Sequence, residues 1–242
     1  MNSRSSINKQ KTYYQASDRH LIAVDCIIFG FQNDVLKILL LKRKVAPKKG
    51  KWSLIGSFVK ANEHLDDAAK RILEESTGLQ DVFLEQLHCF GGLDRDPGAR
   101  VISVAYTALI RLEESDEAMV EAFGAKWVAL DQKPELVFDH DNMLKLALKQ
   151  LQRKARFYPI GFELLPKKFT LPQLLKLYQA IYLQKIDDRN FRKKILSLGI
   201  LKKLEEKDKT FSRKGAFFYS FDKKKYERMV KQEGRFLLTL VK

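Results

Sequence analysis

The chain has 242 residues, enough for one large domain or two modest ones, and its 45% hydrophobic content supports a substantial core and excludes a disordered chain. No apolar run reaches the roughly 18 residues of a membrane span, and the polar first ten residues lack the apolar stretch of a signal peptide, so a cytoplasmic protein with no membrane partner is expected. The net charge of +15 sits unevenly: residues 1–150 carry 21 basic and 21 acidic side chains, whereas residues 151–242 carry 24 basic against 9 acidic, which suggests a neutral domain followed by one that binds a polyanion.

After a polar leader over residues 1–19, Leu21 to Phe31 reads as a buried strand. Asp25 interrupts it and must be a satisfied core acid or a group facing a ligand. Gln32-Asn33-Asp34 is turn-rich, and Val35 to Lys42 returns as the second strand of a hairpin. A basic loop around Pro47 leads to Trp52 and Gly56. Between Gly56 and Leu79 the pattern is turn, helix, turn, with Asn62 as the expected N-cap and Gly78 as the C-terminal stop. Val82 to Phe90 and Val101 to Arg111 read as strands around a loop, Gly91 to Arg100, dense in charge and turn residues. That loop serves either fold maintenance or ligand and dimer contacts. Lys126-Trp127-Val128 is a short strand. Asp139, read as an N-cap, opens a helix to about Arg156. The two cysteines, Cys26 and Cys89, lie in apolar runs and read as buried reduced thiols. The four histidines show no zinc-ligand spacing, and no metal site is expected.

Tyr158-Pro159-Ile160-Gly161 marks a boundary, dividing the chain into residues 20–157 and 158–242. Beyond it, Thr170-Leu171-Pro172-Gln173 is a capping-box start for a first helix. A second helix begins near Asp187-Asp188 and stops at Gly199. Its Phe191, Ile195 and Leu198 face inward, which leaves Arg189, Arg192 and Lys193 outward with Asn190 at the margin. A hairpin follows, from Leu201 to Glu205 and from Ala216 to Phe221, with Arg213 and Lys214 at its tip. Helix, helix and basic-tipped hairpin resemble a winged helix-turn-helix. Arg189, Asn190, Arg192 and Lys193 would then meet a major groove, with Arg213 and Lys214 on backbone phosphates.

The Gly56–Leu79 stretch itself resembles a Nudix box, the loop-helix-loop that holds divalent metal against a pyrophosphate. Glu63, Arg71, Glu75, Gly78 and Leu79 stand at the spacing of that box. The Lys42-Arg43 pair and Trp52 before the helix resemble the arrangement of Nudix domains, and the Asp94-Arg95-Asp96-Pro97 segment followed by Arg100 is similar to one in Nudix proteins of the ADP-ribose type and in Nudix-related regulators. The chain departs from the box at three places: Ser57 replaces its glycine, Ile72 its catalytic Glu and Ser76 a metal-binding Glu. Of three acids on one helix face, one remains. With so few oxygen ligands, metal-assisted hydrolysis is expected to be lost, with no catalytic residue and no cofactor.

A degenerate Nudix box joined to a basic winged helix resembles the Nudix-related transcriptional regulators, a group that includes arabinose-responsive and ADP-ribose-responsive repressors. The resemblance implies an α+β chain: a Nudix-like α/β/α sandwich with a mixed sheet, then a winged helix-turn-helix. It implies a homodimer, operator DNA and a small-molecule effector, either ADP-ribose or a pentose such as arabinose, to which the loss of the acids inclines the reading. The expected effector contacts are Asp25, Trp52, Glu63, Glu75, Asp94, Arg95 and Arg100. The alternative is a working Nudix hydrolase of a nucleoside diphosphate sugar with a basic accessory domain.

Overall fold

Leu21–Gln32 is apolar almost throughout because both of its faces are covered, and it forms the central strand, β1. The computed structural model describes residues 17–160, 162, 164–210, 214–233 and 238. In it β1 runs antiparallel to β2 (Val35–Lys42) and β4 (Ile55–Phe58), and parallel to β6 (Val101–Arg111). Two short strands, β3 (Trp52–Ser53) and β7 (Ala125–Ala129), pair with β2, and β5 (Glu85–Phe90) covers the outer edge of β6. Among the described residues these seven strands make one mixed sheet. The β1–β2 turn places Asn33 and Asp34 at φ 50° and 65°, the left-handed pair that a two-residue hairpin requires.

The period of two along β1 sorts its side chains between two layers. Val24, Cys26 and Ile28 pack with Ala69, Ile72 and Leu73 of α1 (Leu65–Thr77). Ile27, Phe29 and Phe31 pack on the other face with Met143, Leu144 and Ala147 of α3 (His140–Phe157). The expected α/β/α sandwich is therefore present, with α2 (Glu114–Ala122) beside α1 on the first face. Asp25 shares the α3 side with Ile27 and Phe29.

The core on the α3 side continues into the C-terminal third without a break. Leu151 and Ala155 of α3 belong to one buried cluster with Leu174, Leu177 and Tyr178 of α4 (Leu171–Tyr182) and with Phe191 and Ile195 of α5 (Asp188–Ser197). Strands β9 (Leu201–Asp208) and β10 (Ala216–Phe221) form the hairpin, and β8 (Phe169–Thr170) adds a third strand beside β10. Helix α6 (Lys223–Glu233) closes the described order. Thr170 and Gln173 form the expected capping box, with the Gln173 carboxamide oxygen accepting from the Thr170 amide at 2.8 Å. Gly78 stops α1 at φ 75°, donating its amide to Glu74 O.

Three expectations need correction. The N-cap of α1 is His64, not Asn62, and no side chain caps it. The preceding turn is held instead by the Glu63 carboxylate on the Lys60 amide at 2.7 Å, while Asp66 and Asp67 in the first turn interact favourably with the helix dipole. Strand β5 starts at Glu85 rather than Val82, because Asp81 at φ 55° bends the chain just before it. Cys89 is exposed, since β5 is an edge strand with one open face. Helices α2 and α6 and strand β8 were not anticipated. Of the leader, only residues 17–19 are described, and Gly161 of the boundary segment lies outside the described residues.

Candidate effector site and nucleic-acid interface

Helix α1 and the loop before it carry the first cluster of charge. The Arg71 guanidinium donates to both Glu63 oxygens, at 2.6 and 2.8 Å, to Glu75 at 3.0 Å and to Phe58 O at 3.2 Å. Lys60 stands 3.9 Å from Glu75. The Arg71 hydrogen bonds, helped by the Lys60 amide, hold the Glu63 carboxyl down at about 2. Both surviving acids of the box thus already serve one arginine. Ile72, where the box has its catalytic acid, is 1% exposed and lies in the apolar layer between α1 and the sheet. Ser76 offers a hydroxyl only. A divalent cation does not fit this set of donors, and among the described residues no three His, Cys, Asp or Glu side chains are grouped to hold one.

A second cluster lies on the other side of the sheet, where the Gly91–Arg100 loop meets the start of α3. Arg95 is buried, and its guanidinium grips Asp139 through Nε at 3.0 Å and Nη2 at 2.9 Å. The same Nη2 reaches Asp25 Oδ2 at 3.4 Å, and Ser103 of β6 donates to that oxygen at 2.5 Å. His140 Nδ1 accepts the Leu54 amide at 3.1 Å, which leaves its proton on Nε2, 3.6 Å from Asp25 Oδ1. Burial holds the imidazole below its usual range, against the pull of Asp25, and keeps it neutral. Gly56 is required here: a Cβ on it would stand 2.0 Å from Asp25 Oδ1 and 3.0 Å from Val24 O. Oδ2 of the buried acid thus has two donors, while Oδ1 faces His140 Nε2.

In the C-terminal third, Leu183 in the left-handed conformation at φ 53° ends α4 and turns the chain toward α5. Asp187 caps α5 by accepting the Asn190 amide at 2.8 Å. Phe191 and Ile195 are buried as the helical spacing predicts, so Arg189, Asn190 and Lys193 are exposed. Arg192 is half-buried and holds Asp188 at 2.7 Å. In the hairpin the Lys203 and Lys207 ammonium groups lie over the Phe217 ring at 3.7 and 4.4 Å. Lys214 is exposed near the hairpin tip, and Arg213 lies outside the described residues.

Residues 19–147 match the NUDIX domain model and residues 161–221 match the model of the NrtR DNA-binding winged helix domain. The ADPR responsive transcriptional repressor NtrR of Acinetobacter baylyi is 32% identical over 220 residues, covering 88% of both chains. The chain belongs to the NrtR family of Nudix-related transcriptional regulators. Of solved NrtR structures, that of Shewanella oneidensis NrtR complexed with a 27mer DNA superposes with a TM-score of 0.71 at 27% identity, over 91% of this chain and 99% of that one. The NUDIX domain of the same NrtR in a cocrystal with ADP ribose has a TM-score of 0.50 at 32% identity, over 57% of this chain and 92% of that one.

Against the NrtR frame, the expected site residues separate into groups. Glu63 and Glu75 meet through Arg71, and Asp25 and Arg95 meet in the buried cluster. Trp52 is half-buried, with the Lys42 ammonium 5.1 Å over its ring. Asp94 is exposed, and Arg100 closes its own loop by donating to Gly91 O and Gly92 O, both at 2.9 Å. Sequence reasoning missed Ser103, and it assigned Asp139 to capping; that carboxylate makes no cap bond and binds Arg95 instead. A serine inside the apolar run Val101–Arg111 was the available signal for the first. Nothing local signalled the second, because Asp139 does occupy the N-cap position.

Proposed function

We propose that this chain is a cytoplasmic repressor that binds operator DNA through α5 and the β9–β10 wing, and that ADP-ribose, taken by the Nudix-like domain, lowers its affinity for that DNA. The observation that carries the reading is the pairing, along one chain, of a Nudix domain whose box acids are replaced or pinned with an NrtR-type winged helix. Both the repressor of Acinetobacter baylyi and the Shewanella oneidensis domain are described by ADP-ribose. ADP-ribose therefore takes the place of the pentose to which the sequence alone inclined, since neither relative supplies support for arabinose. Residues 20–157 serve as the effector domain and 158–242 as the DNA-binding domain, in a homodimer that reads a palindromic operator.

In this assignment Arg189 and Asn190 read base edges, and Arg192, Lys193, Arg213 and Lys214 meet phosphates. Asp25, Trp52, Glu63, Glu75, Asp94, Arg95 and Arg100 are the effector-side candidates, with Arg95 and Arg100 supplying the positive charge a diphosphate needs. The domain senses without cutting: Ile72 neither binds a metal nor moves a proton, and Glu63 and Glu75 are committed to Arg71.

The test is a mobility shift on a duplex from the chain's own promoter region at low salt. The duplex is expected to shift, ADP-ribose to release it and arabinose to leave it bound. Incubation of ADP-ribose with Mg²⁺ or Mn²⁺ is expected to release no AMP. Failure to bind any upstream duplex sinks the regulatory reading, and turnover lost on Glu75→Gln restores the hydrolase.

A further inference from the structure

The hairpin of the C-terminal third is irregular at one place. Phe217 lies opposite Lys207 and Tyr219 opposite Lys203, so β9 advances four residues while β10 advances two. A regular ladder would set Glu205 opposite Tyr219 and alternate the charge along this face. The register shift puts Lys203 there instead. Both ammonium groups then come to one ring, with Lys203 Nζ 3.7 Å and Lys207 Nζ 4.4 Å from the Phe217 centroid. Gly215, at φ 66°, permits the close approach of the two strands: a Cβ on it would stand 2.9 Å from Asp208 O and 3.1 Å from Lys207 Cβ.

Two like charges on one ring repel, and the neighbouring acids do not relieve them. Glu206 is taken by Lys168 at 2.7 Å. Asp208 accepts from the Thr210 amide at 2.8 Å and from its hydroxyl at 2.5 Å. Among the described residues neither Lys203 nor Lys207 forms an ion pair. Both lysines are exposed, and Phe217 is half-buried. The ring attracts each cation through its quadrupole but carries no net charge to neutralise either. The result is a pair of ordered positive charges open to an anion from solvent, at a register shift of the kind that re-aims side chains.

We propose that Lys203 and Lys207, ordered by Phe217, form a contact for the DNA phosphate backbone on the strands of the wing, distinct from the tip residues Arg213 and Lys214 and from α5. The inference rests on the operator-binding reading above. Charge and place in the fold choose the partner: two convergent ammonium groups suit phosphodiester oxygens, and they stand on the winged helix itself. Lys203 and Lys207 touch the phosphate. Phe217 is a positioning residue, because it orders two long side chains before DNA arrives and less rotamer freedom is then lost on binding.

The experiment measures duplex Kd by fluorescence anisotropy, on an operator and on an unrelated duplex over a range of salt, for the full chain and its variants. The double change Lys203→Ala, Lys207→Ala is expected to weaken both duplexes about tenfold at moderate salt and to lower the slope of log affinity against log salt by about one to two. Phe217→Leu, with both lysines kept, is expected to weaken both duplexes about threefold and to lower the slope by roughly half as much, whereas Phe217→Tyr keeps the ring and stays close to wild type. Lys149→Ala, on the exposed side of α3, keeps the wild-type Kd and slope. If Phe217→Leu does not fold, the double lysine variant, changed only at exposed side chains, carries the test. A double variant with wild-type Kd and slope overturns the proposal. So does an equal loss in Lys149→Ala, which would assign the effect to net charge, or in Phe217→Tyr, which would assign it to packing. A double variant that keeps duplex binding but loses ADP-ribose affinity in calorimetry gives the pair to the effector and overturns the proposal too. Wild type that binds no duplex overturns the operator reading first, and this inference with it.

Discussion

Position 72 lies where α1 faces the sheet, and the isoleucine there shares its layer with Val24, Ile28, Ala69 and Leu73. The replacement of the box acid was legible in the sequence, but its depth was not: at 1% exposure the side chain is part of the core rather than of a pocket wall. Restoring the acid therefore does not restore the site. Ile72→Glu would place a carboxylate among apolar side chains, with Arg71 already engaged by Glu63 and Glu75. It is expected to cost about 3 kcal/mol or more, read as a lower urea midpoint at unchanged slope, and to gain no AMP release from ADP-ribose. A variant as stable as wild type at neutral pH would show that this face opens to solvent. The buried cluster was less legible still. Asp25 announced itself as a charge inside an apolar strand, but its partner Arg95 is 70 residues away. Only the parallel pairing of β1 with β6, which sets Asp25 opposite Ala105, brings Ser103 and the preceding loop to it.

Elements with strong local chemistry were read well, and those without it were not. The hairpin turn at Asn33-Asp34, the glycine stop of α1 and the capping box of α4 each depend on two or three adjacent residues. Helix α2 buries Val120 fully but little else, so its apolar stripe is faint. Strand β8 has two residues, too few for any period, and exists because Phe169 and Thr170 pair with Tyr219 and Phe218. Helix α6 is so rich in lysine that its inward residues, Tyr226 and Met229, are easily passed over. The best-supported element gives a direct test of cap chemistry. Thr170→Ala removes the acceptor for the Gln173 amide at 3.4 Å and half of the reciprocal pair. The expected loss is about 1 kcal/mol, with Thr170→Ser close to wild type by thermal melt. Equal losses in both variants would assign the effect to packing of the Thr170 methyl group rather than to the cap.

Across the whole molecule, charge and core divide the chain differently. The entire excess of +15 falls after residue 150, whereas the buried cluster on the α3 side runs through both halves. Charge asymmetry marked the two functions; it could not show that they share a core, because that follows from how α3 packs against α4. The proposed interface makes two kinds of DNA contact that can be told apart. Lys214 is exposed near the hairpin tip and Arg189 is exposed on α5; the proposed interface assigns the first to phosphate and the second to a base edge. Each phosphate neutralised contributes about 0.9 to the slope of log affinity against log salt. Lys214→Ala should therefore weaken operator and unrelated duplex alike and lower that slope by roughly one. Arg189→Ala should cost about 1–3 kcal/mol on the operator, with little change on an unrelated duplex. Anisotropy titrations of both duplexes between low and moderate salt separate the two. Should Arg189→Ala weaken both duplexes equally with a lowered slope, α5 meets only the backbone, and sequence is read elsewhere on this basic third.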